Sequence, residues 1–179
     1  ISLFAFPLGL LTSFKMVTIL SISILPISFY AFARKCRFDP AESSLLMVLM
    51  MVPIATLHIA SGGTLYSQFY VGLGAETLAF PLFFFYVGKL KEVVESLQEP
   101  LSPPVSFRDF LILTLLSTGM VLTHFVVAMA ACAVAVILIM HHGNRRVALF
   151  AVRHVVMTFL LSAFFLVPFM SFAGFLKNP

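Results

Sequence analysis

The strongest constraint on this chain is a succession of long apolar runs, separated by short polar segments that carry basic residues at their ends. Hydrophobic residues make up 61% of the 179 residues and charged residues only 10%, whereas a soluble domain carries about 25% charged residues. One helical span needs about 20 apolar residues, so this length accommodates about six spans once loops are subtracted. The sequence therefore predicts an all-α, polytopic helical bundle that forms a single transmembrane domain over residues 1–179.

The borders of the predicted spans follow basic caps and helix-start signals. The first span ends at Arg34-Lys35, and Asp39-Pro40 after it has the form of a helix start, with Asp39 as the cap. The chain starts without methionine and stops directly after an apolar run, so we expect it to be an internal fragment of a larger protein. The six spans are predicted at about residues 14–33, 43–60, 71–88, 109–122, 125–140 and 151–170.

Phe110–Met140 is the longest apolar run, and only Thr123-His124 interrupts it. As one helix, its 31 residues would be about 46 Å long at 1.5 Å per residue, which exceeds the roughly 30 Å of the bilayer core. The run is therefore either one steeply tilted helix or two helices folded at Thr123-His124. Arg108 precedes it and Arg145-Arg146 follows it. Because basic residues collect at cytoplasmic ends of spans, both ends lie on one side, which favours the hairpin.

The same layout gives the orientation of the predicted bundle. Nine of the eleven basic residues fall on one face of the membrane, and only Lys15 and Lys177 fall on the other. Since cytoplasmic loops are enriched in basic residues, we expect the basic loops to be cytoplasmic and the protein to be integral to the cell membrane. The nine residues are Arg34, Lys35, Arg37, Lys89, Lys91, Arg108, Arg145, Arg146 and Arg153.

One carboxylate, Glu76, lies inside a predicted span and is the strongest signal for a functional site. An uncompensated charge near the bilayer centre costs roughly 2.5–3.5 kcal/mol, and acidic residues at such positions are typically functional. In the predicted topology, polar residues from three chain segments reach the same non-cytoplasmic side as Glu76, where glycines allow close approach of a helix or ligand. The predicted catalytic residues are Glu76, His124 and His58, and the predicted substrate-binding residues are Tyr66, Gln68, Tyr70, Gly72 and Gly74.

Each of these residues also has a purely structural interpretation. Glu76 also fits a buried acid that is hydrogen-bonded or kept protonated by desolvation, and His124 fits a polar plug bonded to backbone at a hairpin turn. The tyrosines fit the aromatic belt of a membrane interface. The sequence has neither metal-site spacing nor a nucleotide-binding motif, and its basic residues do not form a nucleic-acid patch. No cofactor is indicated, and a divalent cation is left open.

Four stretches resemble those of a known family, in the same order along the chain. They are FKMVTILSISILPISFYAFARKCRFDP at residues 14–40, GGTLYSQFYVGLGAETLAFPL at 62–82, LTHF at 122–125 and FFLVPFM at 164–170. Together they resemble the membrane region of the type C glycosyltransferase superfamily. Within that superfamily, the sequence is most similar to a group of polytopic membrane proteins labelled as related to pyruvoyl-tetrahydropterin synthase.

This resemblance implies transfer of a sugar from a polyprenyl-phosphate-linked donor on the extracytoplasmic side, with membrane lipids and that donor as the partners. A carboxylate would act as general base on an acceptor hydroxyl while the lipid phosphate leaves, and hydrogen-bond donors would stabilise that phosphate. Enzymes of this superfamily carry a catalytic acid in the first outer loop, which would precede Ile1, so we expect the fragment to lack it.

A membrane transporter or a non-catalytic membrane scaffold is the competing interpretation of the same sequence. An intramembrane acid such as Glu76 and helices broken by glycine also suit a path for a transported substrate. Against a transporter, the two halves of the chain show no internal repeat, and a single acid makes a poor ion relay.

Overall fold

The computed structural model describes residues 10–56, 74–99 and 103–176. This part of the chain is all-α, as predicted, with six helices and no strand. The chain divides into two compact units, Ile1–Gly88 and Lys89–Pro179, and the boundary falls within the third helix. The helices are α1 (Leu10–Lys35), α2 (Pro40–Thr56), α3 (Gly74–Ser96), α4 (Phe107–Thr123), α5 (Phe125–His141) and α6 (Arg145–Leu176).

Each predicted span overlaps one helix, the bounds agree best at α4 and α5, and whether these helices span a membrane stays a prediction. These two helices begin and end within two residues of the predicted 109–122 and 125–140. The predicted 43–60 and 71–88 run partly outside the described residues. Helix α6 begins earlier than the predicted 151–170, because the Asn144 side chain caps its first turn by accepting a hydrogen bond from the Val147 N–H at 2.9 Å.

Two helices of the described part are long and apolar enough to cross a membrane, namely α1 from Lys15 to Lys35 and α6 from Arg145 to Phe164. Shorter apolar stretches lie in α2 and α5. Helix α6 has 32 residues, which is about 48 Å at 1.5 Å per residue, so it is longer than the bilayer core. Length and composition thus single out two spans, and the six-span layout stays a prediction.

In the first unit, α1 packs against α2 and contacts α3 through phenylalanine rings. The centroid of the Phe84 ring lies 4.9 Å from that of Phe29, edge to face, and 5.7 Å from that of Phe32. At Gly88 the α3 backbone approaches α1 closely, because a Cβ atom there would lie 3.4 Å from the Cα of Phe32. The aromatic cluster therefore joins α1 and α3 one turn before Gly88, and the missing side chain of Gly88 lets the two backbones approach closely.

The predicted helix start after the first basic cap is confirmed at α2, which begins at Pro40. The Asp39 carboxylate accepts a hydrogen bond from the Glu42 N–H at 2.8 Å, and the Glu42 carboxylate accepts one from the Asp39 N–H at 2.9 Å. This reciprocal pair is a capping box, which satisfies two backbone donors that a helix start otherwise leaves unpaired.

In the second unit, α4 and α5 form a hairpin and α6 lies parallel to α4. The Phe110 ring near the start of α4 lies 6.2 Å from the Phe150 ring near the start of α6. Two turns further along both helices, the Ser117 and Thr158 hydroxyl oxygens lie 2.8 Å apart. Because α4 and α6 run in the same direction and pack together, α5, which connects them, must run in the opposite direction. The predicted hairpin is therefore confirmed, and one continuous helix over residues 110–140 is excluded.

Buried side chains include hydroxyls as well as apolar groups, and many large apolar side chains lie on the outer surface. Hydroxyl side chains are buried in both units, and Ser21 and Ser28 bond to carbonyls of their own helix at 2.7 Å. Large apolar side chains instead cover the outer surface, with Val126 of α5 exposed at 68% and Phe159 of α6 at 71%. Soluble monomers rarely expose contiguous apolar surface of this kind, so these faces fit an apolar surrounding.

Candidate functional site

The predicted site residues fall largely outside the part of the chain that the structure describes. His58, Tyr66, Gln68, Tyr70 and Gly72 all lie outside the described residues. Gly74 is the first residue of α3, and Glu76 is the third, so Glu76 belongs to the first turn of that helix. Glu76 lies in the first unit and His124 in the second. Their convergence on one cavity stays a prediction.

His124 is the residue at which the hairpin folds. Its backbone is extended, with φ −156° and ψ 102°, and it separates the last residue of α4 from the first residue of α5. The His124 N–H donates to Met120 O at 2.8 Å, and its Nδ1 accepts from the Val127 N–H at 3.4 Å. These are the backbone bonds expected of a polar plug, and a catalytic role for the half-buried ring stays a prediction.

A row of polar side chains between α4 and α6 is the most extensive buried polar feature in the described part of the second unit, and it was not predicted from the sequence. The Ser117 and Thr158 hydroxyls bond directly, and Thr114 Oγ1 lies 3.4 Å from His154 Nδ1. Such interhelical bonds join helices where hydrophobic driving force is weak. We call this row the α4–α6 polar seam, and it consists of Thr114, Ser117, Thr118, His154, Thr158 and Ser162.

His154 is the only imidazole among the described residues that is buried in a helix interior, with 5% of its surface exposed. Its ring stacks on Phe150, one turn earlier in α6, with a 5.9 Å centroid distance and a 2° angle between planes. The Phe110 ring of α4 meets it edge-on at 6.3 Å. The sequence does contain a signal for this row. Residues 150, 154, 158 and 162 are spaced four positions apart and so share one helix face, and three of them are polar.

The seam also contains two buried hydroxyls without a partner. Thr118 Oγ1 and Ser162 Oγ are buried, and neither has a hydrogen-bond partner within the described part of the chain. A buried hydroxyl that lacks a bond costs about 1–3 kcal/mol. The side chains of the seam carry hydroxyl groups and one imidazole. The seam therefore offers hydrogen-bond donors and acceptors but no carboxylate that could act as a general base.

A pocket of about 580 Å³ opens at the end of the second unit where α4 and α6 begin. Its apolar wall includes Phe110, the buried Phe150 and the exposed Phe107. Two exposed arginines of α6, Arg146 and Arg153, also line it. We call it the basic-end pocket. Its chemistry is that of an apolar cleft bordered by two positive charges.

The described second unit also shows which residues hold the basic end together. Lys89 Nζ lies 2.7 Å from Asp109 Oδ1 and so pairs the C-terminal part of α3 with the first turn of α4. Asn144 Nδ2 donates to Leu97 O at 3.1 Å, and Gln98 Nε2 donates to His142 O at 2.8 Å. The ends of α3 and α5 therefore meet the starts of α4 and α6 at one end of the unit.

Comparison with known proteins adds no assignment to this geometry. No family model, curated protein or solved structure matches the chain. Residues 10–56, 74–99 and 103–176 contain no group of three or more histidine, cysteine, aspartate or glutamate side chains arranged to hold a metal ion. The function must therefore be argued from the sequence and from the fold.

Proposed function

We propose that this chain forms a polytopic integral membrane bundle with six spans, located in the cell membrane. The observation that carries this proposal is the large apolar surface that the helices expose. Hydroxyl side chains such as Ser28 and Thr114 are buried, while leucine, valine and phenylalanine side chains cover the outer faces of α1, α2, α5 and α6. In water those faces would drive aggregation, whereas lipid tails solvate them at no cost.

The charge distribution supports an orientation with the basic end in the cytoplasm. Arg108 lies in the first turn of α4 and Arg145 begins α6, and these two helix starts lie together in the second unit. His124 lies at the opposite end of α4, 15 residues or about 22 Å from Asp109. The enrichment of basic residues in cytoplasmic loops then puts His124 on the outer side.

We further propose that the chain is part of a membrane glycosyltransferase that takes a sugar from a polyprenyl-phosphate-linked donor on the outer side. The resemblance of four stretches to type C glycosyltransferases supports this activity. The position of Glu76 supports it as well, because it lies at the end of α3 that is distant from Lys89 and Lys91. Glu76 and Lys89 are thirteen positions apart, which is about 20 Å along the helix.

The test of this activity is the Glu76→Gln variant of the full-length protein. The variant keeps the size and hydrogen-bonding capacity of the side chain but removes the negative charge that a general base needs. In proteoliposomes with a panel of polyprenyl-phosphate hexoses and of hydroxyl-bearing acceptors, the wild type should transfer the hexose to an acceptor hydroxyl and release polyprenyl phosphate. We expect Glu76→Gln to lower this rate at least about 100-fold, which is the lower range of general acid–base contributions.

The matched control is Glu99→Gln, which removes one carboxylate from an exposed position beyond the end of α3. It should leave the rate unchanged. Equal activity of Glu76→Gln and the wild type, with normal insertion of both, would contradict a catalytic Glu76. Loss of membrane insertion with retained specific activity would instead identify Glu76 as a structural acid.

A further inference from the structure

We propose that the basic-end pocket binds an anionic phospholipid of the cytoplasmic leaflet. In this assignment the lipid phosphate pairs with Arg146 and Arg153, and part of the acyl chain lies against the phenylalanines of the pocket wall. The proposal rests on the membrane placement proposed above, and it is independent of glycosyl transfer.

The first support is the arrangement of the two arginines. They are seven residues apart in α6, which is two helical turns or about 10 Å on the same face. Both side chains are exposed, and neither has an ion-pair partner within the described residues. Arg153 lies within the apolar stretch Arg145–Phe164. A cation at such depth is stabilised when it reaches a headgroup, and a lipid phosphate in the pocket would supply that partner.

The second support is the size and the apolar character of the wall. A volume of about 580 Å³ falls within the roughly 300–1,000 Å³ of ligand pockets. The wall contains three phenylalanines and Leu149, and Phe107 is 78% exposed. A small inorganic anion would leave these rings in contact with water. An amphiphile with a phosphate at one end and an alkyl chain at the other matches both parts of the pocket.

The third support is the electrostatic field at this end of the unit. Helices α4 and α6 both begin here, so the positive ends of two helix dipoles point toward the same region. The carboxylate of Asp109 in the first turn of α4 is paired with Lys89 at 2.7 Å and does not line the pocket. Each basic residue near an anionic membrane surface contributes roughly a fivefold factor in binding.

The experiment is a lipid titration of the purified full-length protein in detergent, followed by native mass spectrometry. The probes are phosphatidylglycerol and phosphatidylcholine with the same acyl chains. We expect phosphatidylglycerol to bind more tightly to the wild type. Replacement of both pocket arginines, Arg146→Gln with Arg153→Gln, should weaken phosphatidylglycerol binding about 25-fold and leave phosphatidylcholine binding within about twofold.

The matched control removes two charges from the same end without touching the pocket wall, as Arg108→Gln with Arg145→Gln. It should weaken phosphatidylglycerol binding less than about threefold, because neither arginine lines the pocket and salt screens exposed charges that do not contact the phosphate. A loss as large as that of the pocket variant would contradict a defined site. Equal affinity of the wild type for the two phospholipids would contradict it as well.

A second variant tests the apolar wall without a change in charge. Phe107→Ala should weaken phosphatidylglycerol binding about tenfold, because it removes an exposed ring that the alkyl chain would cover. Unchanged binding by this variant would contradict an acyl chain in the pocket. Displacement of phosphatidylglycerol by inorganic phosphate would show a site for a free anion, and tighter binding of a polyprenyl monophosphate would show a carrier-lipid site. Either result overturns the assignment to a membrane phospholipid.

Discussion

Arg37 has a backbone conformation that is unfavourable for any residue with a Cβ atom. Its φ is 70°, in the left-handed region, directly after α1. The Arg37 N–H bonds to Arg34 O at 3.1 Å, and the Phe38 N–H bonds to Ala33 O at 3.3 Å. These two bonds form a Schellman motif, in which the left-handed position is usually glycine. The chain keeps this helix end although arginine adds conformational strain to it.

Glycine at position 37 should therefore stabilise the end of α1. Comparing Arg37→Gly with Arg37→Ala isolates the backbone effect, because both variants remove the same side-chain contacts. The glycine variant should be more stable than the alanine variant by about 1 kcal/mol, since alanine keeps the cost of a left-handed Cβ. Thermal unfolding followed by circular dichroism should show a Tm about 2–4 °C higher for glycine. A higher Tm for alanine would contradict the assigned conformation.

For single residues, the sequence predicts features that depend on near neighbours in the chain, but not the distant residues against which a side chain packs. The Asp39 cap and Pro40 could be predicted because a helix start is decided by neighbours within three residues. His154 was missed because its burial depends on Phe110, which lies more than 40 positions earlier in the sequence. The left-handed conformation of Arg37 could not be predicted either, since glycine or asparagine is the residue type that indicates such a position in a sequence.

The α4–α6 polar seam can be tested at the scale of the element through its direct hydrogen bond. Ser117→Ala and Thr158→Val each remove one hydroxyl of the 2.8 Å pair. Interhelical bonds between membrane helices contribute about 0.6 kcal/mol on average, with a maximum near 1.7 kcal/mol. A double-mutant cycle on the free energy of unfolding should give a coupling within this range.

The same cycle with a hydroxyl that bonds only within its own helix provides the control. Thr123 Oγ1 donates to Gly119 O at 2.7 Å, inside α4. Thr123→Val combined with Thr158→Val should therefore be additive. Additive Ser117 and Thr158 effects would show that the seam makes no energetic contribution across the two helices.

Among the elements, the hairpin of α4 and α5 was predictable and the extent of α6 was not. A run of 31 apolar residues is too long for one span. The arginines at both of its ends indicate that both ends lie on the same side of the membrane, so the chain must reverse direction within the run. Helix α6 exceeds its predicted span because Asn144 caps it outside the apolar run. Its start is thus decided by a polar side chain, which hydropathy does not detect.

For the whole molecule, the structure supports the fold class more than the predicted site. Long apolar runs predict helices, and the contact of Phe110 with Phe150 shows that the starts of α4 and α6 lie together in the second unit. The predicted site depended on bringing Glu76, His58 and His124 together, and no local signal determines such long-range convergence.

The sidedness prediction follows from the nine basic residues on one face and can be tested by cysteine accessibility. In a background without Cys36 and Cys132, we expect a cysteine at position 68 to react with a membrane-impermeant maleimide on intact cells. A cysteine at position 95 should react only after the membrane is permeabilised. The Glu95 replacement removes the partly exposed ion pair with Lys91, which costs at most about 1 kcal/mol, so the variant should still insert. Labelling of position 95 alone on intact cells would show the opposite orientation, in which the basic-end pocket faces the outer leaflet.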